Sequence, residues 1–228
     1  MFGVTAVKTG GSAMVQTRIV VEPDFNISGQ VVPKGISNVT ISLRPLIPGM
    51  PKAPTAVTSS DNTFILRDVT PGEYRVVIST AQNHETYVRS VRFGGDELAD
   101  SILQLPSHTS GKLEISIGTN PGTVSGGVSR TLNGKHTSVD GSHVVLVPER
   151  SLRARQDLYK NAFSDENGKF EFKGVAPGSY KIFAWELVQE GAWFDAEFIR
   201  LFEDSGKTLR VGENRHETVE IDSLLPWR

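Results

Sequence analysis

Residues 61–78 read Asp-Asn-Thr-Phe-Ile-Leu-Arg-Asp-Val-Thr-Pro-Gly-Glu-Tyr-Arg-Val-Val-Ile, and the chain contains a second version of this stretch from Asp165 to Ile182. Four matched pairs lie 106 positions apart, namely Phe64 and Phe170, Val69 and Val175, Pro71 and Pro177, and Tyr74 and Tyr180. A constant offset over four chemically distinctive positions indicates a tandem repeat of one domain type.

The repeated stretch predicts two strands joined by a corner. Alternating apolar residues before the Pro-Gly pair, such as Phe64 and Leu66, are typical of a half-buried strand. Pro71-Gly72 and its counterpart Pro177-Gly178 predict a type II turn, with positive φ at the glycine. We expect the rings of Tyr74 and Tyr180 to be buried, with each hydroxyl bonded to nearby backbone.

Length and composition narrow the class of protein. The 228 residues carry a net charge of −2, so the chain has no basic field for nucleic acid. No apolar run approaches the roughly 20 residues that a membrane-spanning helix needs, and there is no cysteine. The N-terminal residues do not form a signal peptide, so we expect either an intracellular chain or a mature or truncated piece of an exported protein.

The repeat predicts three parts of the chain: residues 1–23, a first β-sandwich at 24–118 and a second at 119–228. The pattern of Thr17–Val21 recurs at Leu113–Ile117 and at Thr218–Ile221, where it would close each sandwich. Residues 1–23 therefore resemble the end of a preceding domain or a free strand. Such a strand would pair through a row that includes Val15, Thr17, Ile19 and Val21, either within its own chain or with another.

Strands are predicted through both sandwiches, and the class is all-β. In the first they are Asn26–Val32, Val39–Arg44, Thr63–Asp68, Tyr74–Thr80, Tyr87–Phe93 and Lys112–Ile117; in the second they include Thr123–Val128 and His143–Val147. Residues 149–161 predict a short helix or an extended loop. A further helix is predicted at 195–203, capped by Asp195, with Phe198, Ile199, Leu201 and Phe202 facing inward.

With both copies of the motif aligned, the chain resembles the carboxypeptidase regulatory-like family, also described as transthyretin-like or Cna B-type. The second copy carries the motif in full from Asp165 to Tyr180, while the first departs at Thr63, which stands where the second copy has Gly168 once one residue is removed. The resemblance implies an immunoglobulin-like β-sandwich of the kind found in large secreted or surface proteins of bacteria. It implies no catalytic residue, because the motif consists of core and turn positions.

Several chemical sites are weighed against structural explanations. The five histidines lack the spacing of a zinc site, and no nucleophile elbow is present. Residues 165–168 could begin a calcium loop, but a hairpin turn explains them better. The family resemblance also raises a Lys–Asn/Asp isopeptide, for which Lys112, Lys34 and Asp222 are the available residues, although they do not match its register. We therefore predict no enzyme activity, no metal and no cofactor.

The best candidate for a ligand site is an aromatic group around Tyr159, Trp185 and Trp193. Exposed Trp and Tyr faces stack on sugar rings, so these residues could form a carbohydrate-binding platform. The alternative is that they are buried beneath the loop and helix of the second sandwich, as large aromatic residues usually are.

The resulting hypothesis is a non-catalytic structural or adhesive module of a bacterial surface or secreted protein. Its expected partners are other protein domains or copies of itself, joined head to tail into a filament by strand addition. A carbohydrate-binding module is the alternative, with glycans as partners.

Overall fold

A computed structural model describes residues 24–36, 38–47, 54–81, 85–106, 109–132 and 134–224. These residues divide into two compact units. The first comprises 24–81 and 90–117, and the second comprises 85–89 and 118–224. Both are built almost entirely from β-strands, so the predicted all-β class is confirmed.

Within the described part of the chain, seventeen strands and one α-helix form. The strands of the first half are β1 (Phe25–Val32), β2 (Thr40–Pro45), β3 (Thr55–Val57), β4 (Thr63–Val69), β5 (Gly72–Ser79), β6 (Tyr87–Phe93), β7 (Asp96–Glu97), β8 (Ile102–Leu105) and β9 (Lys112–Gly118). The second half contains β10 (Gly122–Leu132), β11 (Lys135–Ser138), β12 (His143–Pro148), β13 (Lys160–Phe163), β14 (Lys169–Val175), β15 (Gly178–Trp185), α1 (Ala196–Phe202), β16 (Lys207–Val211) and β17 (His216–Asp222).

Two sheets make up the first sandwich. One has the strand order β4-β1-β9-β6-β7, and the other has the order β3-β2-β5-β8. Alternate residues of each strand are buried between the sheets, as Phe64 and Leu66 of β4 are. The period-two pattern of the sequence thus directs one face of every main strand into the core.

The second sandwich also has two facing sheets, but a loop and a helix take the place of one strand. One sheet has the order β11-β10-β14, with β17 also pairing to β10, and the other has the order β13-β12-β15-β16. Its main core contains Phe170 and Phe172 from β14 together with Ile182 from β15. In the first unit a strand, β6, follows β5, whereas in the second a loop and helix α1 follow the equivalent strand β15.

The predicted tyrosine corners are confirmed in both units. Tyr74 and Tyr180 are buried, and their hydroxyls donate to the carbonyls of Thr70 at 2.9 Å and Ala176 at 2.8 Å. Burial raises the pKa of both phenols, so both remain neutral hydrogen-bond donors at physiological pH.

The predicted type II turn at the Pro-Gly pair is wrong. Gly72 is extended, with φ of 159°, and Gly178 has no positive φ. The left-handed residues lie earlier, at Asp68 (φ 53°) and Gly174 (φ 68°), where the pairing of β4 with β1 and of β14 with β10 shifts register. The repeat therefore bends through a β-bulge in the first strand of the motif.

The structure defines the secondary structure of the two regions for which a helix was considered. Residues 149–161 form two short 3₁₀ turns, Arg150–Leu152 and Gln156–Leu158, and then enter strand β13. The predicted helix forms as α1, and the Asp195 carboxylate accepts a hydrogen bond from the Glu197 N–H at 2.8 Å. The inward position predicted for Leu201 is wrong, because its side chain is 51% exposed.

The corners can be tested one unit at a time, because all three tryptophans occur after residue 118. Tyr180→Phe leaves the buried Ala176 carbonyl without its donor and should cost about 1 kcal/mol of unfolding free energy. Tryptophan fluorescence during urea unfolding should show an earlier transition for Tyr180→Phe. The matched variant Tyr74→Phe should leave that signal unchanged, and equal shifts in both variants would contradict the assignment.

Candidate functional site

Each unit closes by pairing its first long strand with its last, and we call this pairing the terminal clamp. In the first unit, β1 runs parallel to β9 from the pair Ser28–Lys112 to the pair Val32–Ser116. In the second, β10 runs parallel to β17 from Thr123–His216 to Ser129–Asp222. Because the strands are parallel, the entry of the chain and its exit lie at opposite ends of each clamp.

Glycine permits the close approach of the two strands in both clamps. A Cβ added at Gly126 would lie 1.8 Å from the Val219 carbonyl oxygen, and one at Gly29 would lie 2.6 Å from the Leu113 carbonyl oxygen. Any side chain at these positions would force the strands apart. The Ser-Gly pair seen in both copies of the sequence is therefore a requirement of the clamp.

Polar side chains bridge the clamps on their exposed faces. Lys112 Nζ donates to Gln30 Oε1 at 2.6 Å, and Gln30 Nε2 donates to Glu114 Oε2 at 2.7 Å. In the second unit Ser125 Oγ and His216 Nε2 are 2.6 Å apart. Lys112 thus takes part in an exposed hydrogen-bonded trio with Gln30 and Glu114.

The second clamp continues into a contact with the opposite sheet, which we call the C-terminal latch. Beyond β17, Leu224 donates to the Ala184 carbonyl at 2.7 Å and accepts from the Glu186 N–H at 3.0 Å. Ser223 Oγ donates to Glu186 Oε1 at 2.9 Å, and Arg130 Nη1 lies 2.9 Å from both oxygens of that carboxylate. The latch therefore joins the chain end to both sheets of the second unit.

A second carboxylate, that of Glu203 just after helix α1, lies close to three basic side chains. Arg153 Nη2 donates to its two oxygens at 3.1 and 2.9 Å, and Lys181 Nζ lies 3.3 Å away. Arg150 adds a longer contact at 3.8 Å. Burial pushes the pKa of Glu203 upward, but the hydrogen bonds and charges of Arg153 and Lys181 outweigh it, so the pKa is lowered.

The structure does not support the predicted carbohydrate platform. Trp185 and Trp193 are 1% and 2% exposed, and Tyr159 is 8% exposed, so none of the three presents an open ring face to a sugar. They pack with Phe183 and Ile199 in a core beneath the loop and helix α1. The alternative given above, that these rings are buried beneath the loop and helix, is therefore correct.

The Trp185 and Trp193 indole N–H groups have no hydrogen-bond partner among the described residues. Among the described residues of this region, the exposed rings are those of Phe163 and Phe194. Phe163 contacts the ring of His143. Burial lowers the pKa of this imidazole, and the negative charge of Glu190 offsets only part of that shift.

The first unit carries an open groove of about 480 Å³. Leu103 and Phe93 contribute apolar surface to it, and four carboxylates also line it, those of Glu73, Asp96, Glu97 and Asp100. No histidine or basic side chain lines it, so it lacks the pairing of acid and base that acyl or phosphoryl transfer would need.

The remaining candidates have simple outcomes. Asp165 Oδ1 accepts from the N–H groups of Asn167 (2.9 Å) and Lys169 (2.8 Å), which makes the hairpin turn that was preferred to a calcium loop. Across the described ranges, no three acidic or histidine side chains are grouped to hold a metal ion. None of the helices described is long and apolar enough to cross a membrane. The predicted pairing row of Val15, Thr17, Ile19 and Val21 lies outside the described residues.

Comparison with known proteins gives distant structural similarities alone. No family model matches the chain, and no curated protein does. One similar solved structure is a minor pilin of Streptococcus agalactiae, which is 12% identical to this chain with a TM-score of 0.42. The match covers 89% of this chain and 97% of the pilin. A streptococcal ancillary pilin has 15% identity, TM-score 0.38 and coverages of 86% and 61%. The shaft pilin of Lactobacillus rhamnosus GG has 12% identity, TM-score 0.28 and coverages of 89% and 100%.

Sequence reasoning missed both carboxylate networks. Glu186 and Arg130 are 56 residues apart, and Glu203 and Arg153 are 50 apart, so no local pattern joins them. The only sequence signal was the presence of the acids beside buried aromatic residues. Their partners become visible only once the strands are aligned in space.

Trp193→Ala tests whether this ring belongs to the core. Removing a buried tryptophan should lower the unfolding free energy of the second unit by about 3–5 kcal/mol. The adjacent, 42% exposed Phe194 provides the control, and Phe194→Ala should cost much less in urea unfolding followed by circular dichroism. Equal stability of Trp193→Ala and the parent chain would contradict the buried position.

Glu203→Gln tests the charge network through its pH dependence. The charged hydrogen bonds of this 14%-exposed carboxylate should make the parent chain more stable than the variant by about 1–3 kcal/mol at neutral pH. Because the folded pKa is lowered, this advantage should persist above the ordinary glutamate pKa and shrink as the pH falls through the acid range.

The control is Glu197→Gln, which breaks an exposed helix pair with Arg200 and should change stability little at any pH. Unfolding midpoints measured between neutral and acid pH give both comparisons. A Glu203→Gln deficit that does not depend on pH would show that the carboxylate charge is not the stabilising element.

Proposed function

We propose that the chain is a non-catalytic structural module that carries tension along a bacterial surface or secreted assembly, with copies associating head to tail. The observation that supports this proposal is the terminal clamp, present in both units. A force on the two ends of a unit pulls its first and last strands in opposite directions along their own axes.

This loading geometry determines how the clamp fails. The hydrogen bonds between parallel strands lie across the pulling direction, so they share the load and must break together. A hairpin pulled open from one end would instead lose its bonds one after another. The first clamp has five register pairs and the second has seven, each backed by a buried core.

The C-terminal latch extends the clamp of the second unit. The chain leaving β17 is bonded to Ala184 and Glu186 of the opposite sheet, and the Glu186 carboxylate is held by Arg130 and Ser223. Force applied after Leu224 therefore meets this contact before it reaches the clamp.

The location and partners are inferred from the sequence motif. The repeated Pro-Gly-x-Tyr unit resembles a family common in secreted and surface proteins, which is why we place the chain outside the cell. Its alternating segment at 14–21 is the proposed donor for head-to-tail association by strand addition.

Single-molecule pulling on the full chain, held at its two termini, tests the role of the second clamp. Arg215 and Ser223 bond to β10, so odd-numbered residues of β17 face the clamp. Glu217→Pro removes a clamp donor and should accelerate unfolding of the second unit under a given load by at least about fivefold.

The neighbouring variant Thr218→Pro is the matched control, because the N–H of residue 218 faces away from β10. It introduces the same ring into the same strand and should leave the force response nearly unchanged. The proposal fails if both variants, or neither, lower the unfolding force of the second unit.

A further inference from the structure

The β10–β17 clamp uses one edge of β17 and leaves the other, outer edge unused. Thr123 donates to the Arg215 carbonyl at 2.8 Å, and Ser223 donates to the Ser129 carbonyl at 2.8 Å. Odd-numbered residues therefore face β10. Because backbone groups alternate in direction along a strand, the N–H and C=O groups of residues 216, 218, 220 and 222 face away from it.

The first unit shows what normally covers this edge. Its closing strand β9 lies between β1 and β6, and the Gly94 N–H donates to the Lys112 carbonyl at 3.1 Å, where β6 ends and β9 begins. The end of β6 thus meets the start of β9, which is an antiparallel arrangement. In the described part of the second unit no strand occupies this place, and β17 pairs with β10 alone.

A lysine side chain partly protects the free edge. Lys207 Nζ donates to the Glu220 carbonyl at 2.9 Å, on the side of β17 away from β10. Lysines near an edge strand are a common way for folded proteins to discourage unwanted pairing. A side-chain contact of this kind is exposed and easily displaced, so the edge remains open to a strand that offers a better fit.

The charge of the edge favours a basic strand. Glu220 and Asp222 are exposed along it, and β17 also carries Glu217. Residues 1–21 contain Lys8 and Arg18 and no acidic residue, so their charge complements that of β17.

The length of segment 14–21 also fits, since its eight residues match the seven of β17. Only Glu22, Pro23 and Asp24 join it to β1, and three residues reach about 10 Å. In the first unit the edge equivalent to that of β17 is already closed by β6. The equivalent edge of the donor's own first unit is therefore already occupied, which leaves the outward edge of a β17 strand as its partner.

We propose that the outward edge of β17 is the acceptor for residues 14–21 of a second copy of this chain, which add as an antiparallel strand. The proposal rests on the head-to-tail association proposed above and names the surface that receives the donor. Main-chain hydrogen bonds to residues 216–222 provide the affinity, and Arg18 opposite the acidic row provides the specificity.

Disulfide trapping tests the acceptor directly, because the natural chain has no cysteine. One chain carries Gln16→Cys or Thr17→Cys, two adjacent positions that sample both faces of the donor and leave Arg18 in place. It is mixed with a second, larger-tagged chain that carries Thr218→Cys and is oxidised at micromolar concentration. The control partner carries Thr137→Cys on β11, another exposed edge strand of the same unit.

We expect linked heterodimers with Thr218→Cys and markedly fewer with Thr137→Cys. Equal yields at the two positions, or none at residue 218, would overturn the acceptor. A chain that carries both Thr17→Cys and Thr218→Cys is oxidised alone in dilute solution. If this chain forms an internal disulfide and no dimers, the donor and acceptor strands belong to the same molecule. The proposal of a second copy would then be wrong.

The variant Thr218→Pro separates this inference from the proposed function. It should abolish concentration-dependent multimers in sedimentation velocity while the force response of the clamp stays intact. If the parent chain resists force as expected but the cysteine-bearing chains form no cross-links, only the acceptor is wrong. If cross-links form but Glu217→Pro leaves the unfolding force unchanged, the tension-bearing role fails and the acceptor stands.

Discussion

The parallel pairing of first and last strands is the constraint on which the rest of each unit depends. It needs glycine at Gly29 and Gly126, because the neighbouring carbonyl leaves no space for a Cβ. It also brings the two chain ends of a unit into one sheet, so the remaining strands must form the rest of that sheet and the facing one. The tyrosine corners and bulges then hold the two sheets in register.

The two units solve the same problem with different parts. In the first, β6 lies beside the closing strand, whereas in the second the equivalent length of chain becomes a loop and helix α1. The helix and the Trp193 segment cover an aromatic core on the other sheet. The second unit thereby gains a second apolar cluster, and among the described residues its closing strand has no neighbour on one side.

Local features of the fold were predictable from the sequence, and long-range ones were not. The tyrosine corners were found because the hydroxyl reaches a carbonyl four residues away within the motif itself. The Asp68 bulge was missed, since Pro71-Gly72 gives a stronger local signal for a turn. The inward position of Leu201 was wrong because a seven-residue helix has too few turns to define a buried face.

The candidate site was less accessible to sequence reasoning. Strand recurrence indicated which segments open and close each sandwich, but not that they lie side by side in parallel. Burial of Trp185 and Trp193 depends on the helix packed above them, which a residue list does not show. The partners of Glu186 and Glu203 are about 50 residues distant in sequence, beyond the reach of any motif.

Under the proposed tension-bearing role, the unequal lengths of the two clamps would give the chain a graded response to stretching. With five pairs against seven, the first unit would yield while the second still holds. Unravelling residues 24–117 releases on the order of 300 Å of extended polypeptide. A sudden pull would then be absorbed as added contour length, and the connection would survive a shock that would sever a rigid tether.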